Sequence, residues 1–138
     1  MNRIALSLLA SIAVVIAAAS AQQTQPEPLE ARDAFDTRQK DLVALAAHLG
    51  ALHRYHLLCG ASDDPNLFRD RLRRLVPLES PMERTRQAMI AAFNRAYGET
   101  SQQYLTCTPD VEDAFRTEAR AALELTDRLH GPFRAAGY

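Results

Sequence analysis

The chain holds two cysteines, Cys59 and Cys107, and their fate constrains more of the fold than any other feature. In an oxidising compartment an even count reads as a bridge, and two cysteines permit a single intramolecular connectivity. The first residues point to such a compartment. Arg3 and the amino terminus form a short positive region. Ile4 to Ala19 is apolar apart from Ser7 and Ser11, and Ala19-Ser20-Ala21 is a small-x-small site ahead of the polar Gln22-Gln23-Thr24-Gln25-Pro26. That order predicts a secretory signal peptide cut after Ala21. The competing reading is an uncleaved anchor, but the apolar run of about 16 residues falls short of the roughly 17–25 that cross a bilayer. No cysteine follows the cut, which argues against a bacterial lipoprotein.

A Cys59–Cys107 bridge closes a loop of about 49 residues, which the chain-entropy model values at roughly 4 kcal/mol. That is a large share of the roughly 5–10 kcal/mol that holds a small domain folded. The two residues are not in a Cys-x-x-Cys motif, so a thioredoxin-like redox role is disfavoured.

The expected organisation is a signal peptide over residues 1–21, a flexible Gln-, Pro- and Glu-rich arm over 22–31, and one helical domain over 32–138. The first helix is expected from about Asp33 to Cys59. Leu42, Leu45, Leu49 and Leu52 recur at helical spacing, His56 and Cys59 continue the stripe, and Gly60 follows as a C-cap. Gly50 inside it costs about 1 kcal/mol against alanine and marks a close approach of a neighbouring helix. A short second helix is expected from Pro65, capped by Asp64, with Phe68, Leu72, Leu75 and Val76 inward and Pro77 ending it near Leu75. Ser80-Pro81-Met82-Glu83 reads as a capping box opening a third helix that carries Met82, Met89, Phe93, Ala96 or Tyr97, Thr100 and Tyr104 along one side, reaching Cys107. Thr108-Pro109-Asp110 opens a fourth, with Val111, Phe115, Leu125 and Leu129 on its face and Gly131-Pro132 as its stop. Nothing reads as a strand.

The expected fold class is therefore all-α, a small up-down bundle of about four helices with one disulfide. Geometry supports it. In such a bundle the first and third helices point the same way, so their C-terminal ends, where the two cysteines lie, meet at one end. The short second helix spans about 17 Å against about 39 Å for its long neighbours. An extended Val76–Ser80 linker adds about 16 Å, enough to carry the chain back.

The formal net charge of −1 lacks the basic footprint of general nucleic-acid binding. Fifteen of the sixteen basic residues are arginine, read here as the codon bias of a GC-rich genome. Locally, however, Arg69, Arg71, Arg73, Arg74, Arg84 and Arg86 cluster, offset in part by Asp70, Glu79 and Glu83. The functional reading is an anion surface for a headgroup, a wall polymer or an acidic partner. The plainer reading is a solvated face of weak ion pairs.

His53 and His56 lie three apart on the first helix, but His48 and His130 do not complete a recognised metal set, so no metal and no cofactor is expected. With Asn94, Tyr97 and Tyr104 the two histidines form a candidate ligand pocket. The commoner role of such residues is to be satisfied core polar groups that fix helix register. No serine, threonine or cysteine sits in a nucleophile elbow, and no Gly-rich phosphate loop is present. Glu112 and Asp113 occupy a helix first turn, where acid is favoured electrostatically.

Leu49-Gly50-Ala51-Leu52-His53, Leu57-Leu58-Cys59-Gly60, Phe68-Arg69, Glu79, Phe93-Asn94-Arg95-Ala96-Tyr97 and Tyr104-Leu105-Thr106-Cys107 together resemble a family of small exported alphaproteobacterial proteins of unknown function. The likeness covers residues from about 40 to 130. It departs mildly at Ala96, where that family commonly has glycine. The resemblance implies an envelope location in a Gram-negative bacterium and supplies no activity. The leading expectation is a non-catalytic periplasmic protein contacting another envelope protein or an anionic envelope component, with no stable membrane span after cleavage. The alternative is a small-ligand or metal-binding protein using the His53/Asn94/Tyr97/Tyr104 region.

Overall fold

In a computed structural model of the protein, residues 28–60, 63–79 and 82–137 are described. They form α1 (Pro28–Cys59), α2 (Leu67–Glu79), α3 (Glu83–Gln103) and α4 (Pro109–Ala135), with no strand among the described residues. The expected signal peptide, most of the arm, and Ser80-Pro81 of the expected capping box lie outside the described residues.

α1 is the central element. Its leucine stripe supplies the floor on which the other three helices pack: Leu42, Leu45, Ala46, Leu49 and Leu52 meet Leu72 and Val76 of α2, Met89 and Phe93 of α3, and Ala122, Leu125 and Leu129 of α4. A smaller cluster of Ala51, Tyr55 and Val111 closes the disulfide end, with Tyr104 and Phe115 against it. α2 and α4 run antiparallel to α1. The ring of Phe68 lies 5.6 Å from that of His56 near the C-terminal end of α1, and Arg128 near the end of α4 binds Asp41 early in α1 at 3.1 and 3.3 Å. α3 runs parallel to α1, bringing Phe93 and Tyr97 against His53 and Tyr104 against Tyr55. The up-down-up-down order follows.

Cys59 and Cys107 are joined, with α-carbons 5.2 Å apart. Cys107 is not on α3, as expected, but in the short connection to α4. α3 stops at Gln103 because Tyr104 turns extended, its N–H still donating to the Thr100 carbonyl. The Thr108 side chain then accepts from the Val111 N–H and, with Pro109 at the first position, starts α4 as expected.

Other helix boundaries also differ from the sequence expectation. α1 begins at Pro28, five residues before Asp33, over a stretch whose side chains from Leu29 to Thr37 are all exposed. That stretch carries good helix formers but no apolar stripe, so propensity rather than packing extends it. Arg38 anchors the turn that follows, donating to the Leu129 carbonyl at 2.8 Å and lying over the Phe133 ring.

α2 begins at Leu67, not Pro65, because the Asp64 carboxylate accepts from the Asn66 N–H and its carbonyl from the Leu67 N–H, making a turn before the helix. It also passes through Pro77 to Glu79. Proline forfeits one helical N–H and has a helix-compatible φ, and the buried Val76 holds the last turn on the core.

α4 passes through Gly131-Pro132 to Ala135. Arg134 reaches back over that pair to the Asp127 carbonyl and carboxylate, and Phe133 is held by Arg38.

The start of α3 is Glu83, with Met82 extended before it. Glu83 spends its carboxylate forward, accepting from Arg86 and Gln87.

Candidate functional site

The spacing of α2 forces its composition apart. Phe68, Leu72, Leu75 and Val76 turn inward, so Arg69, Arg71, Arg73 and Arg74 are left exposed around the remainder of the helix. α2 is also short, 13 residues against 27 in α4, and no α-carbon of one lies within 8 Å of the other. A cleft of about 570 Å³ opens between them over α1. Leu42, Leu45 and Leu49 of α1 floor it, Leu75 and Leu78 form one wall, and Thr126 and Leu129 the other. Arg71, Arg74 and His130 line it as well, all exposed. Leu78 is 81% exposed.

The arginines differ in their partners. Arg73 is bound to Asp70 at 3.2 Å and Arg86 to Glu83 at 3.1 Å, both exposed pairs. Arg69, Arg71 and Arg74 form no ion pair with a described side chain. Arg84 faces elsewhere, lining a groove of about 430 Å³ between α1 and α3 with Lys40 and Arg95. The expected anion surface is thus divided between α2 and α3, with its cation concentration beside the α2–α4 cleft.

The five residues of the expected ligand pocket are placed in different surroundings. His53 is buried and its ring lies 5.7 Å from that of Phe93 and 5.5 Å from that of half-buried Tyr97. Its Nδ1 has no hydrogen-bond partner. Burial pushes the His53 imidazole below its ordinary range, and the Arg69 guanidinium and His56 add to the effect. His56 points the other way, donating from Nε2 to the Asp64 carbonyl and packing edge-on against Phe68. Tyr104 belongs with Tyr55, ring to ring at 5.6 Å, and its carbonyl accepts from Arg54. Asn94 is exposed on α3, a correction to its expected place in the ligand pocket.

A second pocket, of about 330 Å³, lies at the disulfide end, lined by Tyr55, His56, Cys59, Val111, Phe115 and Arg116, among others. Burial pushes the Tyr55 hydroxyl up, with Tyr104 and Glu118 adding to it. Among the described residues no group of three or more His, Cys, Asp or Glu is placed to hold a metal ion. No described helix is long and apolar enough to cross a membrane.

The sequence reading missed the cleft itself, and with it the parts of Leu78, Thr126 and His130. The available signal was Leu78, which stands three residues beyond Leu75 and prolongs its stripe once α2 is allowed through Pro77.

Among protein families, one described as "Protein of unknown function (DUF2385)" matches residues 38–133. No curated protein and no solved structure matches the chain.

Proposed function

We propose, from the premise that this chain belongs to the DUF2385 family of proteins of unknown function, that it is an exported periplasmic protein acting by binding an anionic component of the cell envelope. Export rests on the order of Arg3, the apolar run and Ala19-Ser20-Ala21, which would be removed to leave Gln22 as the first residue. The Cys59–Cys107 bridge fits an oxidising compartment.

One observation carries the binding reading. Arg69, Arg71 and Arg74 are exposed on a 13-residue helix without ion pairs to described side chains, while Arg73 beside them is neutralised by Asp70. Guanidinium groups make paired, charge-assisted hydrogen bonds to carboxylate and phosphate oxygens. Several on one short helix attract an anion that a net charge of −1 would not.

The test is sedimentation of the purified protein with phosphatidylglycerol vesicles and with phosphatidylcholine vesicles. Binding to the first alone, weakened by salt and lost in Arg71→Glu/Arg74→Glu, is expected. Equal binding to both, or no effect of the double substitution, would remove the reading.

A further inference from the structure

We propose that the cleft between α2 and α4 binds single-chain anionic amphiphiles, with the acyl tail along Leu75 and Leu78 above the floor of α1 and the anionic head held by Arg71 and Arg74. This deepens the reading above and rests on it. An arginine face alone would hold any anion. Here the same two arginines line a cleft whose other lining residues are aliphatic, apart from Thr126 and His130.

Three features select the occupant. The first is charge: Arg71 and Arg74 have no acidic partner among the described side chains, so an anionic head meets cations that need no prior separation. The second is shape: Leu75 and the exposed Leu78 stand three apart along one wall of the cleft, above a floor closed by the buried Leu42, Leu45 and Leu49, giving an apolar wall suited to an extended chain. The cleft volume of about 570 Å³ falls in the range of small-ligand sites. The third is Leu78, which carries an 81% exposed isobutyl group into the lining of the cleft beside those cations. An acyl chain entering the cleft would cover it. The Thr126 hydroxyl is already committed, donating to the Ala122 carbonyl within α4, so it needs no polar partner from the occupant.

The experiment is calorimetric titration of the purified protein with octanoate, decanoate, dodecanoate and dodecanol, each below its aggregation threshold. Affinity for the carboxylates is expected to rise about two- to fourfold per added methylene. Dodecanol should bind at least about tenfold more weakly than dodecanoate, having no charge for the arginines to pair with.

Two cleft variants, Thr126→Trp to fill it and Leu78→Ser to remove the exposed leucine, should each weaken dodecanoate binding and flatten the dependence on chain length while keeping the helical circular dichroism of the parent. Leu78 is exposed, so its variant keeps the test open if Thr126→Trp does not fold. Carboxylate affinity independent of chain length, or unaffected by either folded variant, overturns the acyl site and leaves the arginine reading standing. Loss of vesicle binding by the unsubstituted protein, with no carboxylate bound, overturns both.

Discussion

The carbonyl of Phe93 occupies the place a β-carbon on residue 50 would need. A Cβ built on Gly50 collides with that oxygen and lies 3.0 Å from the Phe93 α-carbon. The obstruction is backbone, so no rotamer change relieves it. Glycine is here the condition for α1 and α3 to approach closely enough to bury Met89, Phe93 and His53 between them.

Gly50→Ala therefore tests the α1–α3 contact. Alanine gains up to about 1 kcal/mol in helix propensity, but the two helices must separate, and overpacking of this kind costs about 1–3 kcal/mol or more. A net loss is expected, visible as a lower melting temperature. Gly98→Ala is the control. It also sits in a helix, but nothing lies within 4 Å of its Cβ position, so the same substitution there should raise stability by up to about 1 kcal/mol. Equal effects at the two sites would show that Gly50 is not a contact residue.

The bridge gives a second expectation. Cys59 and Cys107 are 48 apart in sequence, and opening a loop of that length should cost about 2–4 kcal/mol. Cys59→Ser/Cys107→Ser should unfold at lower urea while keeping its helical circular dichroism. A double variant as stable as the parent would mean that the four helices hold one another without the bridge.

His53 supplies a pH dependence. Its folded-state pKa is depressed, chiefly by burial and then by Arg69 and His56. As pH falls through the ordinary imidazole value of about 6.5, the unfolded chain takes up a proton that the folded chain does not. The site therefore contributes nothing to the pH dependence above that value and destabilises progressively below it. Urea midpoints of the parent should fall more steeply between pH 7.5 and pH 5 than those of His53→Leu, which keeps the volume and removes the titration. Parallel curves for the two proteins would contradict a neutral, buried His53.

How far the sequence could be read is clearest at particular residues. The leucines at 42, 45, 49 and 52 gave α1 its face and the cysteines gave the bundle its end, because helical spacing and one-way pairing are local facts. Asn94 was misplaced because it follows Phe93 by one residue, and 100° of helix rotation separates a buried from an exposed side chain. The prolines at 77 and 132 were read as stops when each removes only one N–H and buried or tethered neighbours hold the following turn. The α2–α4 cleft had no local signature beyond Leu78, which prolongs the stripe of Leu75. It exists because a 13-residue helix packs beside a 27-residue one on a shared partner, and that mismatch appears only when the elements are assembled.

The binding account is tested most directly in cells, by placing a photo-crosslinking residue at Leu78, in the lining of the cleft, and separately at Glu99, exposed on α3. Mass spectrometry of the products should find a reproducible anionic, lipid-like adduct at position 78. It should be absent at position 99 and lost when Arg71 and Arg74 are both glutamate. No adduct at position 78, or the same adducts at both positions, would contradict the account.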